Sequence, residues 1–245
     1  TVAIQNAPNI VNTADPFDVT IQFSEVVTGF VAGDVAVTNG SVTAFSAIDG
    51  DTYTVEVTPS GAGDIAIDVA SAVAQDAASN DNTAATQAST TYDIVSPTVA
   101  IQGAPATVNS LDPFNVTAQF SESVTGFVAG DVVVSNGTVT AFTAVDGDTY
   151  TVEITPSGAG DLTIDVPLAV AQDAAGNDNT AAAQVSAPYD SVPPSVAIQG
   201  APATFIPNDP FSIQVQFSED VSGFIAADMV VTNASISSFP RVNAS

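Results

Sequence analysis

The chain has 245 residues, 45% of them hydrophobic, and carries 27 acidic side chains against a single basic one, Arg241, with no histidine. A formal net charge of −26 repels nucleic acid and anionic membranes, so neither is expected as a partner, and calcium and cationic surfaces remain. Cysteine is absent, which excludes disulfides and thiolate metal sites, and no run of about 18 apolar residues offers a membrane span.

Alternating apolar and polar residues predict a strand over 1–5 and, after a turn cluster at 12–16, a second over 17–23. Strands over 34–38 and 41–47 flank Asn39-Gly40, a dipeptide that predicts a hairpin turn between them. A turn at 49–51 leads into a strand over 52–58, and a turn at 59–63 into a strand over 64–70. The Ala-rich stretch 71–78 predicts one helical turn, residues 76–83 are turn-rich, and a strand over 88–93 ends the series. Seven short strands with turn signals between them fit an all-β, immunoglobulin-like Greek-key sandwich. Phe23, Phe30, Phe45 and Tyr53 are assigned to its core.

The series then starts again. Thr1-Val-Ala-Ile-Gln returns at Thr98 and, with Ser195 in first place, at 195, both intervals being 97 residues. Without gaps, the first two copies are identical at 72 of 97 positions. The predicted domains are 1–97, 98–194 and 195–245, the last about half a unit. That third copy contains no equivalents of the last three strands and is expected not to fold by itself, with the polypeptide continuing past Ser245. Thr1 opens directly in a strand-like stretch, so any secretion or anchoring signal is expected outside these residues.

Three strings carry a family resemblance. Phe-Ser-Glu-x-Val-x-Gly-Phe at 23–30, 120–127 and 217–224, Tyr-Thr-Val-Glu-Val-Thr-Pro at 53–59, and Asp-Ala-Ala-Gly-Asn-Asp-Asn-Thr at 173–180 resemble bacterial Ig-like repeats. The Cys–Trp–Cys signature of antibody domains is missing. The resemblance implies tandem sandwiches arranged as an extended rod, the stalk of a large surface protein of the adhesin or biofilm kind. It also implies calcium at domain junctions in some members.

The acids point the same way. Asp outnumbers Glu by 22 to 5, and most Asp lie in turns, where a short carboxylate bonds its own backbone. Adaptation to a salty habitat is a second ordinary reading. Calcium is the third, a hard cation that takes six to eight oxygen ligands. In an immunoglobulin-like sandwich the loops after the second, fourth and sixth strands share the end at which the chain enters. At the first junction this gathers linker Asp93 with Glu122, Asp146, Asp148, Asp173, Asn177 and Asp178, with no Lys or Arg to neutralise them. Metal candidates are therefore Asp93, Glu122, Asp173 and Asp178, their counterparts Asp190 and Glu219 further along, and Glu25, Asp76 and Asp81 in the first copy. Asp146 and Asp148 flank Gly147 and read first as hairpin chemistry. Asp112 reads as a turn start at the opposite end, and Asp131 as the cap of a short turn.

Catalysis is not expected. Nucleophilic triads lack His and Cys, phosphate loops lack their Lys, and carboxylate pairs recur in each unit without a Trp-lined groove. Copying a unit head to tail extends reach, which suits a spacer that holds an unidentified surface ligand-binding tip away from the bacterial cell. Two other readings stand beside it: a self-associating extracellular filament or surface layer, and a binding module appended to a secreted enzyme.

Overall fold

A computed structural model describes residues 1–158, 160–204, 206 and 209–241. The chain forms two compact units, Thr1–Tyr189 and Asp190–Ser245, and the first contains two sandwiches. In the first sandwich β1 (Val2–Gln5), β3 (Phe17–Phe23), β6 (Thr52–Pro59) and β5 (Gly40–Ala47) form one sheet in the order β1-β3-β6-β5. The facing sheet runs β2 (Ile10–Val11), β8 (Ala88–Tyr92), β7 (Gly63–Val69) and β4 (Val35–Thr38). The second sandwich repeats this with β12 (Gly137–Ala144), β13 (Thr149–Pro156), β10 (Phe114–Phe120) and β9 (Val99–Gln102). Opposite them lie β11 (Val133–Ser135), β14 (Leu162–Asp165) and β15 (Val185–Ala187).

Alternation produces the layers. Along β6 every second residue, Tyr53, Val55, Val57 and Pro59, is buried. Val19, Ile21, Ile65 and Ile67 meet Val55 and Val57 from both sheets without measurable exposure. Burial of each such side chain contributes about 1.5–3 kcal/mol. Four rings close the chain-entry end of the core. Phe30 sits 5.0 Å from both Phe23 and Tyr53, and Phe45 stacks on Tyr53 at 5.5 Å. The second copy keeps the same set in Phe120, Phe127, Phe142 and Tyr150.

The seven expected strands are present, and one more. Ile10 and Val11 pair in parallel with Thr91 and Tyr92, so the first strand switches sheets. Two residues are too few to show a period, which is why no strand was expected there.

Asn39-Gly40 does not make a hairpin. β4 pairs with β7 while β5 pairs with β6, so the chain crosses between sheets at this point. Asn39 adopts φ 58°, and its Nδ2 donates to Gly61 O at 2.6 Å, fixing the corner. The dipeptide signals the left-handed geometry, not the pairing of its flanks. The glycine is demanded by space: a Cβ on Gly137, the second-copy equivalent, would lie 2.6 Å from Leu162 Cδ1 and 3.1 Å from Thr155 O. Gly137→Ala is expected to lower stability by about 1–3 kcal/mol, the usual overpacking penalty, measurable by urea denaturation.

Residues 71–78 are not helical. Asn82 is buried, its Oδ1 accepts from the N–H groups of Val73 and Ala74, and its Nδ2 donates to Ala70 O and Thr83 O. Those bonds take backbone groups that a helix would use, and they override alanine's propensity.

In the second unit β16 (Val196–Gln199) pairs antiparallel with β17 (Gln214–Phe217). A short 3-10 turn follows at Ala226–Asp228. No further strand is present among its described residues.

Candidate metal centre

The joint between the two sandwiches of the first unit is built from backbone bonds. Asp93, just past β8, donates its N–H to Val11 O at 2.9 Å, and its Oδ1 accepts from Val95 N at 2.9 Å. The segment then enters the second sandwich, where Thr98 N donates to Ser121 Oγ and Ser121 N donates to Thr98 O. The β14–β15 loop grips it from the other side. Asn177 Nδ2 donates to Asp93 O at 2.9 Å and Thr180 N to Pro97 O at 2.9 Å. Gly176 lies against Asn12 of the first sandwich, 3.4 Å from Asn12 Nδ2 to the point where a Cβ would stand.

These bonds bring three carboxylates together. Asp93, Glu122 and Asp173 each place an oxygen within 4.8 Å of the other two, with Asp173 buried and the others half-buried. At such separations full charges repel by roughly 3–4 kcal/mol per pair at an effective dielectric of 20. Burial, and then the charges of Asp173 and Asp93, push the Glu122 carboxyl above its ordinary value. Burial also pushes Asp173 upward. Hydrogen bonds from the Asn177 side chain and from the backbone N–H groups of Asn177, Ala175 and Gly176 outweigh it and hold that carboxyl below the usual range. Asp173 is therefore fixed as an anion, its oxygens braced at 2.8–2.9 Å by Ala175 N, Asn177 N and Asn177 Nδ2. The set is all oxygen and anionic, with no Lys or Arg beside it among the described residues, and oxygen donors of this kind are those that hard divalent cations take.

The other candidates are not members of this group. Asp178 Oδ1 accepts from Gln172 Nε2 at 2.8 Å. Asp146 Oδ1 accepts from the backbone of Asp148 and Thr149, closing the hairpin, and Asp148 accepts from Thr149 Oγ1 and Gln119 Nε2. Asp131 Oδ2 caps its turn through Val128 N at 2.8 Å, and Asp112 N donates to Ser110 Oγ. In the first copy Glu25, Asp76 and Asp81 line a cleft of about 50 Å³ with Thr1 and Asn80. Asp76 is braced by Ala78 and Asn80 as Asp173 is by its neighbours, which lowers its carboxyl likewise. Asp81 bonds Gln75. In the second unit Asp190 Oδ1 accepts from Val192 N at 3.0 Å, and Glu219 is exposed. Among the described residues, the three-acid group at the first joint is where the ligand atoms converge. The carbonyls of Asp93 and Pro97, gripped by Asn177 and Thr180, were not anticipated. A sequence hint was present, because Ser79 of the first copy is Gly176 in the second, where the loop meets a neighbour.

The bacterial Ig-like domain family matches residues 1–94, 93–189 and 190–245. The chain belongs to the bacterial Ig-like domain family. Its three family segments meet near Asp93 and Asp190, so each Tyr-Asp pair marks the end of one Ig-like repeat and the approach to the next. Among solved structures the chain is similar to InvD of Yersinia pseudotuberculosis, at 16% identity and TM-score 0.37 over 82% of this chain and 63% of that one. It is similar to the adhesin InvE of the same organism at 13% identity and TM-score 0.28, over 78% of this chain and 58% of that one. The I9–I11 tandem of titin matches at 13% identity and TM-score 0.34, over 80% and 68% of the two chains. The chain thus spans less than two thirds of the two Yersinia chains. A search of curated protein sequences found no match. No helix among the described residues is long and apolar enough to cross a membrane.

Proposed function

We propose that these bacterial Ig-like repeats are a non-enzymatic stretch of an extracellular stalk on a bacterial surface, with calcium stiffening the joint between the first two. The observation that carries this reading is the meeting of Asp93, Glu122 and Asp173 where the linker enters the second repeat. A spacer transmits position only if its joints resist bending. Hydrogen bonds to Asp93 O and Pro97 O hold the linker backbone, while the carboxylates push against each other until a cation bridges them. Near-identical neighbours extend reach without adding chemistry, as a stalk requires. Calorimetric titration of the full chain with calcium tests the reading: saturable binding at this joint, lost in Asp93→Asn, supports it, and no heat of binding refutes it.

The raised Glu122 carboxyl gives a pH signature. Calcium needs the carboxylate, and a proton competes for it. Since Glu122 is held above the ordinary glutamate value, affinity should start to fall at a higher pH than an unperturbed glutamate would give, and keep falling as pH drops through that raised value. Asp173, held low, stays ionised throughout that window. Titrations at stepped pH on the native chain and on Glu122→Gln check this, since the variant should lose that early decline along with part of its affinity.

A further inference from the structure

The parallel pairing of β2 with β8 fixes how the first repeat meets tension. In a parallel pair, the N-terminal end of one strand and the C-terminal end of the other lie at opposite ends. β2 is reached from the N-terminal side of the repeat, and β8 runs directly into the linker at Asp93. Pulling on the two ends of the chain therefore slides β2 and β8 past each other along their length. Bonds crossing a pair loaded in this way share the force together, whereas a pair peeled sideways yields one bond at a time. Until they break, β8 stays in its sheet and the core stays covered.

The two complete repeats differ at this place. In the first, Thr91 N donates to Asn9 O and Asp93 N to Val11 O, both at 2.9 Å. β8 is also held to β7 by five pairs, Gly63↔Tyr92 to Ile67↔Ala88, and Thr91 Oγ1 donates to Asp64 Oδ1 at 2.9 Å. In the second repeat Thr107 and Pro188 stand where the first has Ile10 and Thr91. Proline has no N–H, so the bond from Thr91 N to Asn9 O has no counterpart. Among the described residues one isolated bridge remains, Val108↔Tyr189, with Val108 N donating to Pro188 O at 2.8 Å. β15 is held to β14 by three pairs, Leu162↔Ala187 to Ile164↔Val185. The ladders at the start of each repeat are alike, with four pairs between β1 and β3 and four between β9 and β10. The difference lies in the last strand and its parallel partner.

We propose that the β2–β8 patch is a force-bearing clamp and that the second repeat, with its clamp cut short at Pro188, is the release element of the pair. Under end-to-end load it gives way first, lengthening the chain while the first repeat stays folded. A proline in a strand is tolerated where no ladder bond is asked of it, so the second repeat folds as the first does and differs in what it resists. The inference rests on the stalk reading for the direction of the load, and it needs no calcium.

Single-molecule pulling on the full chain, held by tags fused to its two ends, tests this in calcium and in chelator alike. Two long releases are expected, each of roughly 300 Å, the extended length of one repeat less its folded span. A release from the second unit is told apart by its shorter length. At constant load the second repeat should last about a fifth as long as the first or less, the factor that one net backbone bond supplies. Pro188→Thr should prolong the earlier release about fivefold and leave the later one alone, which assigns the earlier one to the second repeat. Thr91→Pro should bring the later release down towards the earlier. Thr91→Ala keeps the N–H and loses only the Asp64 contact, so its first repeat should outlast that of Thr91→Pro. Equal lifetimes for the two repeats, an earlier release indifferent to Pro188→Thr, or equal losses from Thr91→Ala and Thr91→Pro would overturn the clamp. Pulling imposes the load itself, so such a failure leaves the calcium joint standing, and a failed calcium titration leaves the clamp.

Discussion

Chelation is expected to loosen the joint between the first two repeats while leaving each sandwich folded. The chain has no cysteine, so Ser46→Cys and Thr143→Cys, exposed positions one in each repeat, place a single pair of spin labels. In calcium the distance between them should be narrowly distributed, and in chelator it should broaden. The physical reason is local. Three carboxylates within 4.8 Å of one another repel when no cation bridges them, and Asp93 sits on the linker itself. The cores are apolar around Val55, Ile65, Val152 and Ile164, which are buried to 1% exposure or less, so their packing does not depend on the joint carboxylates. Saturating calcium at a hundred times its dissociation constant would add about 2.7 kcal/mol to the docked state. That is enough to fix a joint and too little to decide a fold. Asp93→Asn with Glu122→Gln should give the broad distribution even in calcium. Acidity serving only as salt adaptation leads to a different result, in which sodium chloride at matched ionic strength narrows the distribution as well as calcium does. Equal rescue by sodium, or one distribution in all buffers, would sink the calcium joint.

How much of this was legible depends on how local each signal is. β3, β6 and β7 were readable because their alternation is strict and long enough to define a face, and the 97-residue period then gave the second sandwich. The convergence of Asp93, Glu122 and Asp173 was also within reach, because strand order alone puts their loops at one end. Its inner selection was not. Asp178 lies one residue from Asn177, yet it turns to Gln172 while Asn177 reaches Asp93 O. Rotamer and loop path decide that, and neither leaves a trace in spacing. Asn39-Gly40 and the alanine-rich stretch failed for a shared reason. Both are strong local signals, and a tertiary contact overrode each, Gly61 O in one case and the Asn82 side chain in the other.

Asn179→Ala is expected to be among the most damaging single substitutions in the second repeat, although the residue lies in a loop rich in polar side chains. Its side chain is 2% exposed. Oδ1 accepts from Val170 N at 2.9 Å and Ala171 N at 2.8 Å, and Nδ2 donates to Pro167 O at 2.9 Å and Thr180 O at 2.8 Å. Truncation leaves two backbone donors and two acceptors without those partners in a site with little room for water. Net hydrogen-bond values near 1 kcal/mol each, with more for any group left unsatisfied, give a loss of about 3–5 kcal/mol. For a domain of this size, that is a fall of roughly 15–30 °C in Tm. The second repeat should unfold first while the first repeat, whose Asn82 makes the equivalent bonds, melts as before. The consequence reaches the joint, because the same loop carries Asp173, Asn177 and the Thr180 N–H that holds Pro97 O. Calcium affinity should therefore fall in Asn179→Ala although no metal candidate is touched. Asn82→Ala supplies the control: it should destabilise the first repeat by a similar amount and leave calcium binding at the joint intact. A loss under about 1 kcal/mol in Asn179→Ala, or the same drop in calcium affinity from Asn82→Ala, would show that this asparagine neither shapes the loop nor supports the site.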